Sequence, residues 1–288
     1  MISFYLLNCH SLGKVLAIIT LTSDLGITDH YVASVKAAIL ASAPQAVIVD
    51  ISHNIRSFDL HNAAFLLRSV WHQFPMGTVH VIGINPEYSA EQTHLVVHHM
   101  SHYFIAADNG IFSLIFDEQP EDIYEIGLEQ GADWTFPMRG VFSTVAAHLS
   151  KGGAIDFVGK RTDNYRQLLS QKPTIENDGI TGHVEYIDKY GNVYCNITKD
   201  IFEAERKGRN FSILFKRALY TIRSISTNYS DVVEGERLAM WASNGYLLIA
   251  LNGGATDQGG GASSLLSLKK GEIIRIEFDG NAHSEDEF

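Results

Sequence analysis

The chain has 288 residues, 45% hydrophobic and 19% charged, with 33 acidic against 22 basic side chains and a net charge of −11. That length allows two domains with buried cores, while the acidic balance argues against a nucleic-acid partner, which requires a basic face. No apolar run reaches membrane-spanning length, and two cysteines, Cys9 and Cys195, imply no disulfide framework and a cytoplasmic location by default.

The leading MISFYLLNCHSLG is apolar but lacks a basic first region and a small-residue cleavage site, so it reads as a short extension before the first strand rather than a signal peptide. KVLAIITLTSD reads as that strand and HYVASVKAAILASAP as a helix that stops before Pro44. AVIVDIS is a second strand, β-branched and expected to be buried on both faces, as in a parallel sheet. DLHNAAFLLRSVWHQF is predicted helical with Asp59 at its cap. GTVHVIGIN, HLVVHHM and YFIAAD are further strands. The run HLVVHHMSH at 94–102 alternates like a strand and fits no compact zinc spacing, so its histidines are expected to be exposed and no metal is expected. DNGIFSLIF and RGVFSTVAAHLSKG read as turn-plus-helix segments. This rhythm predicts an α/β domain with an open, mostly parallel sheet over residues 1–170, binding ligands at the C-terminal strand ends.

The polar bridge KRTDNYRQLLSQKPTIENDG, containing Pro173, marks the boundary. Beyond it HVEYIDKYGNVYCNIT, FSILFKRALYTI, LAMWASNGYLLIALN and GEIIRIEF are strand-like with little helical pattern. Residues 171–288 are therefore predicted to form an antiparallel β-barrel. The acidic tail SEDEF is expected to fray.

The first strand-to-helix turn, TSDLGITDHY, carries Asp24 and Asp29 but only one glycine, where a phosphate-binding turn would be glycine-rich. Either carboxylate could cap the following helix; equally, Asp24 could accept both hydroxyls of a ribose, with Asp29 nearer a charged group. The local pattern leaves both readings open. Phe58, where the second strand hands over to its helix, reads as a core aromatic or as a stacking platform for a sugar or base. Gly191-Asn192 and Ser243-Asn244-Gly245 read locally as hairpin turns.

TSDLGITDHYVASVKAAI, VIVDISHNIRSFDLHNAAFLL, FPMGTVHV, ADNGIFSLI, IDKYGNVYCNI and SNGYLLIALNGG occur in that order. Together they resemble the S-adenosylmethionine hydroxide adenosyltransferase family, whose relatives include fluorinating and chlorinating enzymes. The resemblance implies an α/β domain, a β-barrel domain and a homotrimer whose sites lie between subunits, with S-adenosylmethionine as substrate and no cofactor. It implies that Asp24 holds the ribose diol, Asp29 lies toward the methionine end and Phe58 lies beside the sugar. Asp188 would take the methionine ammonium, Asn192 the adenine edge with backbone near Ala250, and Ser243 the methionine carboxylate. Asn244 stands where halogenating relatives have arginine.

In hydrolytic members an Asp, an Arg and a His surround the attacking water. Here Asn85, Gln92 and Pro137 stand at those positions; Arg139 is kept and Gly140 replaces its neighbouring Asp. Three readings follow. Glu87, Tyr88, Glu91 and His94 lie in the altered segment and could orient water differently, although a solvated loop explains Glu87, Glu91 and His94 equally, and Glu91 best. The chain could instead bind S-adenosylmethionine without turning it over. Halide as nucleophile is disfavoured, because Asn85, Tyr88 and Pro137 do not reproduce the halogenase surroundings and Met138 fills a position that is serine in fluorinating relatives.

Overall fold

A computed structural model describes residues 17–127, 133–216, 221–257 and 259–279. The leading extension with Cys9 and the SEDEF tail lie outside the described residues. The chain divides into two compact units between Leu168 and Leu169. No helix among the described residues is long and apolar enough to cross a membrane.

The first unit holds strands β1 (Ile18–Ser23), β2 (Val47–Ser52), β3 (Val79–Gly83), β4 (His94–His99), β5 (His102–Ala107), β6 (Asp122–Ile126) and β7 (Gly159–Arg161) in one sheet of order β2-β1-β3-β5-β4-β6-β7. Helices α1 (Tyr31–Ser42), α2 (Leu60–Arg68), α3 (Ile111–Ile115) and α4 (Ser143–Ser150) accompany it. Alternation along the strands feeds two cores. Ile19, Leu21, Val79 and Val81 pack with Val35 and Ile39 of α1 and Ala146 of α4. Ile82 and Phe104 pack with Leu67 of α2 and Phe112 of α3. The unit is thus α/β, with helices on both faces of the sheet.

The sheet is mixed. β2, β1, β3 and β5 are parallel neighbours, whereas β4 pairs antiparallel with β5 and β6, and β6 with β7. The parallel part stops at β5 because β4 and β5 are joined by only Met100 and Ser101, both at positive φ (46° and 63°). Two residues close a hairpin but cannot carry a crossover. β2 departs from the expectation of burial on both faces: it is the sheet's edge strand, with Val47 exposed and the rest half-buried or exposed, because only β1 flanks it. The 94–102 histidines also depart from expectation. His94, His99 and His102 are buried, since Trp71, Phe116, Trp134 and Phe142 cover them.

The second unit is a curled antiparallel sheet of order β11-β14-β9-β10-β13-β12, with β8 beside β9. Its strands are β8 (Thr174–Glu176), β9 (Gly179–Ile187), β10 (Val193–Thr198), β11 (Phe211–Leu214), β12 (Arg237–Trp241), β13 (Tyr246–Leu251) and β14 (Ile273–Phe278). The segment between β11 and β12 helps to close the curl. Ile222 pairs with Ile213 of β11, and the Ser226 N–H donates to the Ala239 carbonyl of β12. Val184, Ile197, Phe202, Ile249 and Ile276 fill the interior. Two helices were not anticipated. α5 (Lys199–Arg206) starts at Thr198, whose side chain accepts from the Ile201 N–H, and drives Phe202 into the core. α6 (Ala262–Leu265) spans a single turn. Eight residues between strands offer too few periods for helical spacing to register.

Candidate functional site

In the first unit the strands β1, β2, β3 and β5 run parallel, so their carboxyl ends share one edge. From β1 the chain crosses to β2 on one side and returns to β3 on the other, so strand order reverses between β1 and β3, where open α/β sheets bind ligands. Ser23 pairs with Gly83 across that point. The next residue on one side is Asp24; on the other, Asn85 follows two residues on. Phe58 lies in the loop after β2, and Asp108 and Asn109 follow β5.

The Phe58 N–H donates to Asp24 Oδ2 at 2.9 Å. Asp24 Oδ1 has no partner among the described residues. Phe58 sits at φ 65° with its side chain 70% exposed, which excludes the core-aromatic reading. Asp29 is exposed in the turn ahead of α1, whose N-cap residue, His30, makes no side-chain cap. Neither aspartate therefore caps α1. Asp59 does cap α2, accepting from the Asn62 N–H at 3.0 Å.

Across the switch point, Asn85 has φ 44° and begins a braced loop. The Gln92 amide nitrogen donates to the carbonyls of Asn85 (3.1 Å) and Glu87 (2.5 Å). His94 Nε2 donates to the Pro86 carbonyl at 2.8 Å. Burial pushes the His94 imidazole below its usual range, against that carbonyl bond. The Tyr88 ring lies 4.5 Å from Trp134 and 5.5 Å from His94. Glu87 and Glu91 are exposed, and Glu91 accepts from the Ser89 hydroxyl. Buried Pro137 opens a π-turn over Met138–Phe142. Arg139 pairs with Asp133 at 3.1 Å. Gly140 lets the Asp133 carbonyl approach where a Cβ would stand.

In the second unit, Asp188, Asn192 and Ala250 come together on the outer face of the sheet. The Asp188 carboxylate organises the β9–β10 turn. Its Oδ1 accepts from the N–H groups of Tyr190 and Asn192, and its Oδ2 accepts from the Asn192 amide at 3.0 Å. Gly191, at φ 82°, supplies the left-handed position that turn requires. Tyr194 pairs with Leu248, which by the same register sets Asn192 opposite Ala250. Burial first, with the Asp188 carboxylate adding, pushes the Tyr194 phenol up to about 12. Ser243 and Asn244 lie in the β12–β13 turn at the other end of β13; Ser243 is exposed. From Tyr246 to Ala250 that strand spans roughly 14 Å.

Four residues at the first unit's edge were not singled out from sequence. Ser23 and His53 share a 2.6 Å hydrogen bond. The Asn109 amide donates to the Ile84 carbonyl at 2.8 Å. Burial pushes the Asp108 carboxyl up despite an N–H bond from Arg166. ADNG after a strand was the available signal for the last two.

Residues 19–159 match the family model described as the SAM hydroxide adenosyltransferase N-terminal domain, and residues 182–275 the corresponding C-terminal domain. The chain is similar to an (R)-S-adenosyl-L-methionine hydrolase of Methanocaldococcus jannaschii, 31% identical over 65% of this chain and 69% of that protein. It is also similar to a fluorinase of Nocardia brasiliensis, 28% identical over 82% and 90%. Among solved structures, an uncharacterized conserved protein of Thermotoga maritima superimposes with a TM-score of 0.80 at 31% identity, over 90% of this chain and 99% of that one.

Proposed function

The chain belongs to the SAM hydroxide adenosyltransferase family, and on that premise we propose that it is an S-adenosylmethionine hydrolase releasing adenosine and L-methionine. The observation that carries this reading is the Asp24–Phe58 pair at the switch point: a carboxylate oxygen free for hydroxyl hydrogens, beside an exposed aromatic ring. A hydroxyl bonded to a carboxylate contributes about 1.5–3 kcal/mol, enough to select a nucleoside over a bare base.

Water attacks the ribose C5′ in line with the C5′–S bond. The new C–O bond forms as the C–S bond breaks, its electron pair neutralises the sulfonium as methionine departs, and the water's proton is released. The protein supplies orientation and exclusion of bulk water. By the family pattern, Asp29 faces the methionine end and Asp188 its ammonium. Asn192 and the Ala250 backbone read adenine, and Ser243 with Asn244 takes the carboxylate. Glu87 and Tyr88 are the groups left beside Asn85 to orient water. The same proposal includes a homotrimer with sites shared between subunits and, from cysteine usage, a cytoplasmic location.

A second reading, a non-catalytic binder of the same ligand, is favoured by one set of contacts. Gln92 spends its amide nitrogen on two carbonyls, Arg139 is paired with Asp133, and Pro137 has no polar side chain. Halide as nucleophile stays disfavoured on the residue pattern alone, at Asn85, Tyr88, Pro137 and Met138.

Prolonged incubation with S-adenosylmethionine, followed by chromatography with Asp24→Ala as the blank, separates the readings. Adenosine and methionine above the blank are expected. Ligand binding without product would establish the binder, and no binding of either S-adenosylmethionine or adenosine would overturn both.

A further inference from the structure

Beside Asp24 runs a line of groups, buried at Ser23 and His53 and partly exposed at Asp50 and Lys36, that the proposed reaction leaves unused. His53, which follows β2, is 4% exposed, and Ser23, which ends β1, is fully buried. His53 Nδ1 and Ser23 Oγ are 2.6 Å apart. His53 Nε2 lies 3.1 Å from Asp50 Oδ1, close in distance although off hydrogen-bond geometry. Asp50 Oδ2 is 2.6 Å from the Lys36 ammonium on α1. Ser, His and Asp in line suggest a nucleophile array, but a fully buried Ser23 cannot reach a substrate.

The same histidine makes a second connection. Its own carbonyl accepts from the Gly26 N–H at 2.9 Å, and Ser23 Oγ accepts from the Leu25 N–H at 3.4 Å. The turn 23–26 is therefore held by His53 from both sides of Asp24, through a side chain at Ser23 and a backbone carbonyl at Gly26. With its proton on Nε2, toward the Asp50 carboxylate, His53 presents Nδ1 as an acceptor for the Ser23 hydroxyl. Asp50, itself paired with Lys36, stands on the Nε2 side of the ring, and Nδ1 is the nitrogen that faces Ser23.

We propose that His53 is the positioning residue of the diol-holding turn: its Nδ1 bond to Ser23, oriented by Asp50, fixes where the Asp24 carboxylate stands. The ligand part of this inference rests on the adenosine-binding reading above; the pinning of the turn does not.

Two measurements test it: hydrogen exchange of the free protein over residues 23–30, and calorimetric titration with adenosine. In His53→Ala the 23–30 peptide exchanges roughly tenfold faster while β3 and β5 peptides keep their protection, and adenosine affinity falls about tenfold. His53→Asn, whose carboxamide oxygen reaches the Nδ1 position, restores both to within about threefold. His53→Gln is nearer in volume, but its amide lies toward the Nε2 position, and it restores neither. A packing role would favour Gln. Unchanged exchange in His53→Ala, or rescue by Gln equal to that by Asn, overturns the proposal. If His53→Ala fails to fold, the Asn–Gln contrast decides. Should wild-type protein bind no adenosine, the ligand reading falls and exchange alone judges the pin.

Discussion

Phe58 combines two properties that folded chains avoid, a left-handed backbone and an exposed aromatic ring. The backbone cost is about 1 kcal/mol or more for a non-glycine residue. It is sustained by the N–H bond to Asp24, 34 residues earlier. Phe58→Gly should raise stability to denaturant by about 0.5–1 kcal/mol, because glycine adopts that φ without strain. Adenosine affinity, read by calorimetry, should fall about fivefold as the stacking surface is lost. A fall in stability together with unchanged affinity would make Phe58 a packing residue. The sequence marked Asp24 as a carboxylate where glycines usually stand but left capping and ligand-holding open; the uncapped start of α1 removes the first. The conformation of Phe58 was not, because nothing in RSFDL demands positive φ; a partner distant in the chain imposes it. Gln92 was legible as a departure from the family pattern, but its work as a loop brace depends on where the Asn85 and Glu87 carbonyls point.

At the level of elements, most strands and the larger helices were readable because their periodicity is local; β6, β7 and β8, three to five residues long and partly polar, were not. What covers the readable elements was not. Alternation in HLVVHHMSH signals a strand, yet the burial of its histidines depends on Trp71 and Trp134 arriving from elsewhere in the chain. The same holds for His80 on β3, which bonds Thr20 Oγ1 at 2.8 Å and His102 Nδ1 at 3.2 Å. Burial first, then the neighbouring His102, pushes its imidazole down from 6.5 to about 3. The unfolded chain therefore binds a proton at His80 that the folded protein does not, and stability is complete above pH 6.5 and lost as pH falls toward 3. At pH 5 the loss from this one group is about 2 kcal/mol. Replacing the hydrogen-bonded pair together, Thr20→Val with His80→Leu, should shallow the acid limb of a urea-stability profile by about that amount between pH 7 and 5. A limb of unchanged slope would place the acid sensitivity elsewhere.

For the molecule as a whole, the residues assigned to the ligand divide between the two units, Asp24 and Phe58 in one, Asp188, Asn192 and Ala250 in the other. The proposed trimer with shared sites makes a prediction of its own. Asp24→Ala and Asn192→Ala proteins should each bind S-adenosylmethionine poorly. Dissociated together and reassembled one to one, they should recover about one intact site in four. Absence of recovery, with trimers verified by light scattering, would put both residues of a site in the same chain.

Sheet order also has a consequence for synthesis. β1 is the first strand described but lies inside the sheet, between the edge strand β2 and β3. β2 emerges soon enough to cover one side, whereas β3 is finished roughly 60 residues after β1, about 3–12 s later at ordinary translation rates. For that interval IITLTS presents one unpaired apolar edge, the kind of template on which neighbouring nascent chains aggregate. The interior place that brings Asp24 to the switch point also makes β1 the strand of its own sheet that waits longest, on the ribosome, for its second neighbour.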